Sequence, residues 1–155
     1  MNSAKAQYEI ISECLKRQGK GSKPILFDRM YNTPYVGVAT TGCFAYIFNK
    51  NDFLIDTMRM EPTNVISRIY DYCDNAVSIK WNGVLKNMNK SIVAELNNEN
   101  GEIILVDMKY VKKFGRLDNL QFKQCDKKIP VFVYDASNES LIGIIMPIVN
   151  NAKGN

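Results

Sequence analysis

What most constrains the fold is the order in which two apolar periodicities alternate along the chain. Three stretches repeat at the three- and four-residue steps of a helix, and between them lie runs of strand-like segments bounded by turn residues. In residues 4–17, Ala4, Tyr8, Ile11 and Leu15 form a helical stripe flanked by Ile10 and Cys14; Asn2 or Ser3 can cap it and Gly19 or Gly21 can end it. Its outer face mixes Lys5, Glu9, Glu13, Lys16 and Arg17, the pattern of a solvated surface. Strands are expected at 25–27, 35–39 and 44–48, the last two forming a hairpin at Thr40-Thr41-Gly42. A second helix starts near Thr63 after Pro62, with Val65, Ile66, Ile69, Tyr70 and Cys73 on its apolar side. Strands follow at 77–81, 84–88 and 91–96, with a turn at Asn82-Gly83 and a turn cluster at 97–101. An apolar strand at 102–106 leads into a third helix at 107–114, capped by Asp107 and stopped by Gly115; strands at 120–125, 129–134 and 141–148 complete the pattern. Runs of strands separated by single helices specify an α+β fold with antiparallel sheets packed on two or three helices, and argue against a doubly wound parallel sheet.

A chain of 155 residues, 46% hydrophobic, suits one domain, placed at 1–148, followed by a polar tail at 149–155 expected to be flexible. Twenty Lys and Arg against sixteen Asp and Glu give a net charge of +4, a mild bias toward anionic partners. There is no histidine, which removes the usual catalytic triads and imidazole-containing zinc sites. Cys14, Cys43, Cys73 and Cys125 are widely spaced in apolar runs and read as thiols of a reducing compartment. Neither GxxxxGK nor GxGxxG occurs, and Lys20-Gly21-Ser22-Lys23 follows a helix where a phosphate loop would follow a strand. Asp52 with Asp56, and Asp71 with Asp74, are acidic pairs that nothing places in a cleft. The expectation is a non-enzymatic cytoplasmic protein with no cofactor, no metal and no membrane span.

The third helix carries the sharpest candidate site. Met108, Val111 and Phe114 fall on one side, while Lys109, Lys112, Lys113 and Arg116 gather on the opposite one. A one-sided basic face suits the phosphate backbone of a nucleic acid, where cations displace counterions without reading sequence. The alternative is ordinary soluble surface.

The segment 102–115, the strand pair after it and the closing Ile144-Ile145-Met146-Pro147-Ile148 together resemble the C-terminal part of bacterial DNA sliding clamps. The run 35–47, with its Thr-Gly turn, is similar to a strand-turn-strand of the same family, with Thr41 where clamps carry Asp. The resemblance covers about residues 4–55 and 91–148 and implies a pseudo-duplicated unit, each half a helix plus antiparallel strands, with helices facing DNA. It implies that Lys109, Lys112, Lys113 and Arg116 face the DNA backbone. It also implies that Ile144, Met146 and Pro147 line a groove for short apolar peptides of a polymerase or other replication protein. Alternation along the strand offers a second reading, with Ile144 and Met146 in the core. A clamp ring uses six such domains, so one domain implies a homo-oligomer or a single-domain relative from a phage or mobile element. The function expected is a replication accessory or interaction module. The alternative is a phage or mobile-element inhibitor or adaptor that binds a host protein without encircling DNA.

Overall fold

Several strands read as continuous apolar runs because they are buried from both sides. The computed structural model describes residues 1–148; the tail expected at 149–155 lies outside the described residues. The helices are α1 (Ser3–Arg17), α2 (Val65–Tyr70) and α3 (Met108–Val111). The strands are β1 (Leu26–Asp28), β2 (Tyr35–Ala39), β3 (Phe44–Asn49), β4 (Glu61–Pro62), β5 (Val77–Met88), β6 (Ser91–Asn97), β7 (Ile103–Asp107), β8 (Leu120–Gln124), β9 (Val131–Asp135) and β10 (Leu141–Ile145). They form one mixed sheet in the order β4-β1-β2-β3-β10-β9-β8-β5-β6-β7, an α+β architecture. Among the described residues only β4 and β1 pair in parallel.

Phe44, Tyr46 and Phe48 of β3 point to one side of the sheet, toward Ala6 and Ile10 of α1 and toward Val111 and Phe114 at and after α3. Ala45 and Ile47 point to the other, toward Ile66 of α2, Phe132 and Ile144. The alternation of two apolar sets along one strand thus divides the core into two layers. Two glycines permit the close approaches. A Cβ at Gly37 would press on Ile66, and one at Gly143 would fall into the Phe114 ring.

Three features depart from the sequence pattern. The stripe Ala4, Tyr8, Ile11 and Leu15 faces solvent, and α1 packs instead through Ala6, Ile10 and the half-buried Cys14, a neighbouring strip at four-residue steps. Asn82-Gly83 does not end a strand: β5 runs on past it, Trp81 Nε1 donating to the Val84 carbonyl at 3.0 Å across a bulge that Gly83 enters at φ +90°. The tight reversal comes later, at Asn89 and Lys90, both at positive φ. The third helix is also shorter than expected, one α-turn followed by looser turns to Phe114. Asp107 caps it as expected, taking the Lys109 amide at 2.8 Å.

The end of the chain's apolar pattern closes the sheet on itself. After β10, the Met146 amide donates to the Cys43 carbonyl and the Ile148 amide to the Leu105 carbonyl, each at 2.8 Å. Ile148 thereby bridges to β7, the far edge strand, so that β10-β9-β8-β5-β6-β7 make a nearly complete ring of strands.

Candidate nucleic-acid interface

Helical periodicity alone does not make α1 and α3 neighbours, yet they pack on the same face of the sheet. The contact that joins them is polar. Glu9 of α1 accepts the Tyr46 hydroxyl at 2.7 Å and lies 3.3 Å from the Lys113 ammonium. Partial burial pushes the Glu9 carboxyl up, but the Tyr46 hydroxyl and the Lys113 charge outweigh it and leave the group below its ordinary value. Burial, then the carboxylate beside it, pushes the Tyr46 hydroxyl far up, so it remains a donor.

Between the helices lies an open cleft of about 590 Å³ lined by Met1, Lys5, Glu9, Lys109, Lys112 and Lys113 among others. A second hollow continues it along α1 past Tyr8, Ser12, Glu13 and Lys16, sharing Glu9, Tyr46 and Lys113 with the first. The two carboxylates of this surface are both engaged internally: Glu9 as above, Glu13 with Arg17 Nε at 2.9 Å. Lys5, Lys16 and Lys112 make no ion pair or hydrogen bond through their side chains among the described residues, and Lys109 stands 4.9 Å over the Tyr110 ring. The net result is a groove with free positive charge and no free negative charge.

Of the four basic residues singled out in sequence, Lys109, Lys112 and Lys113 line this cleft. Arg116 does not; it is highly exposed and pairs with Asp118 at 3.6 Å. Lys5 and Lys16 were missed, because α1 read alone is a balanced mixture of charges, and only its packing against α3 shows which of them are left unpaired.

The expected peptide groove is less open. Ile144 is 3% exposed among Met30, Ala45, Ile47 and Phe132, so the core reading holds for it. Met146 is 41% exposed and Pro147 is half-buried. A ligand beside the last strand would reach Met146 and the edge of Pro147 but not Ile144, which the α2 side of the core covers.

No family model, curated protein or solved structure matches this chain. The clamp resemblance therefore has no support from relatives, and the groove must be read from its own chemistry. No group of three or more metal-ligating side chains occurs among the described residues, and no helix there is long and apolar enough to cross a membrane.

Proposed function

We propose that the α1–α3 face binds the phosphate backbone of a nucleic acid without reading its sequence, as a non-enzymatic accessory module. The observation that carries this reading is the pairing pattern. Both carboxylates of the groove are held by partners within the protein, while Lys5, Lys16, Lys109 and Lys112 remain for a polyanion. The relation to sliding clamps is part of the same proposal, and what supports it is element order. Each of α1 and α3 is followed by a three-stranded meander, β1-β2-β3 and β8-β9-β10, and the meanders join through their last strands, so the order β1-β2-β3-β10-β9-β8 is the same read from either end.

The test is binding of a labelled DNA duplex of arbitrary sequence across a salt series, for the wild type and the Lys5→Glu, Lys109→Glu, Lys112→Glu triple variant. All three side chains are exposed, so the fold should survive. The wild type should bind in low salt, with affinity falling linearly on a log-log plot; losing three phosphate contacts should lower the slope by about 2.7, at about 0.9 per contact. Absence of wild-type binding in low salt, or an unchanged slope in the variant, removes the proposal.

A second reading, an adaptor or inhibitor that docks on a host protein, is favoured by the apolar stripe Tyr8, Ile11 and Leu15 that α1 leaves in solvent. Capture of a partner protein that is lost on Ile11→Ser and Leu15→Ser, with DNA binding absent, would favour it.

A further inference from the structure

A second concave surface lies at the other edge of the helix-bearing face, and it is more apolar than the lysine groove. A cleft of about 370 Å³ opens between the β1–β2 edge and the segment after β3, lined by Phe27, Val36, Phe53, Ile55, Tyr31 and Thr57, with Arg29 and Lys50 also in its wall. Phe27 and Phe53 stack at 6.2 Å in its floor. Tyr31 in its wall is 76% exposed, among the most exposed large apolar side chains of the described residues.

The backbone on either side of Phe53 is pinned to α1 through Gln7, whose Nε2 donates to the Asp52 carbonyl at 2.8 Å and whose Oε1 accepts the Leu54 amide at 2.9 Å. On the opposite wall the buried Asp28 carboxylate takes the Met30 amide at 2.9 Å, and Lys50 Nζ donates to the Met30 carbonyl at 3.3 Å. Met30 and Asn32 are both held at positive φ, so the loop carrying Arg29 and Tyr31 is shaped. A preformed apolar cleft with an exposed aromatic side chain in its wall has the anatomy of an interaction site.

The charges indicate what fills it. No carboxylate lines the cleft. Arg29 has no ion pair or hydrogen bond among the described residues and lies 5.6 Å over the Phe27 ring, leaving its planar fork free. We propose that this cleft is a docking site for a short protein segment in which large apolar side chains are flanked by Asp or Glu. The apolar side chains enter between Phe27, Val36 and Ile55, the exposed Tyr31 ring packs beside them, and the flanking carboxylates meet Arg29 and Lys50. The site is separate from the lysine groove and does not depend on nucleic-acid binding there.

Three labelled decapeptides test it against the full chain by fluorescence anisotropy: a Leu-Phe core flanked by Asp, the same core flanked by Lys, and an Ala-Ala core flanked by Asp. The Asp-flanked Leu-Phe peptide should bind best and weaken with salt. Arg29→Glu with Lys50→Glu should weaken it by at least about tenfold and favour the Lys-flanked peptide instead. Tyr31→Ser should weaken both Leu-Phe peptides alike. These positions are all exposed, and circular dichroism verifies that each variant folds. The proposal is overturned if no peptide binds, if the three bind equally, or if the charge reversal changes nothing. It is also overturned if light scattering finds wild-type self-association that Tyr31→Ser abolishes, because the occupant would then be a second copy of this chain.

Discussion

Glu9 accepts from the Tyr46 hydroxyl and pairs with Lys113, joining α1 to β3 and to the turn after α3. Replacing it with Gln should lower stability by about 1 kcal/mol, the scale of a half-exposed charged hydrogen bond. The same change frees Lys113 and removes a negative charge from the groove, so nucleic-acid affinity should rise. The folded-state carboxyl lies below its ordinary value of 4.5, so its stabilisation is complete above that pH and is lost as pH falls through the folded-state value. Denaturant midpoints of wild type and Glu9→Gln should therefore differ near neutrality and converge in acid. A midpoint difference that grows in acid would contradict this account. Gly143 sets a different kind of limit. Any Cβ there meets the buried Phe114 ring, so Gly143→Ala should destabilise by about 1–3 kcal/mol, and Phe114→Leu in the same chain should recover part of the loss.

At the scale of elements, α2 depends on a residue outside itself. Asn64 at its start offers no side-chain cap, and the Ser67 amide is taken at 2.7 Å by Asp28 of β1, which also accepts the Ser67 hydroxyl at 2.9 Å. Asp28→Ala leaves buried donors unpaired and should cost about 2–3 kcal/mol, with hydrogen exchange accelerated first in α2. The α+β class, most strands and the cap at Asp107 were legible because they are local: periodicity, turn residues and a side chain that bonds its own next turn. The face of α1 was not. Tyr8, Ile11 and Leu15 step by three and four residues and Ala6, Ile10 and Cys14 by four, both helical periods, and only tertiary packing decides which strip is covered. Lys109, Lys112 and Lys113 could be grouped from helical angles, whereas Lys5 joins them through a contact spanning 104 positions of sequence, Glu9 to Lys113.

For the molecule as a whole, both sheet edges are blunted. β4, two residues long and ending in Pro62, covers β1, and Ile148 occupies the outer side of β7. The longest edge left unpaired among the described residues is the side of β5 away from β6 beyond Ile79, where the irregularity between Trp81 and Leu85 and the charges of Lys80 and Lys86 oppose pairing with a second copy. Light scattering should accordingly give the mass of one chain across a wide concentration range; a closed ring would require an interface elsewhere, with the α1 stripe the first place to look.

The strand that joins the two halves of the sheet, β10, is the last of the ten to appear in sequence. During synthesis, β1-β2-β3 can pair as soon as they leave the ribosome, but the outer edge of β3, Phe44–Asn49, has no partner until almost a hundred further residues have been made. At the elongation rates of about 5–20 residues per second that wait lasts about 5–20 seconds. Throughout it the nascent chain carries an aromatic, unpaired strand, which makes expression yield more sensitive to chaperone supply than the stability of the finished protein would suggest.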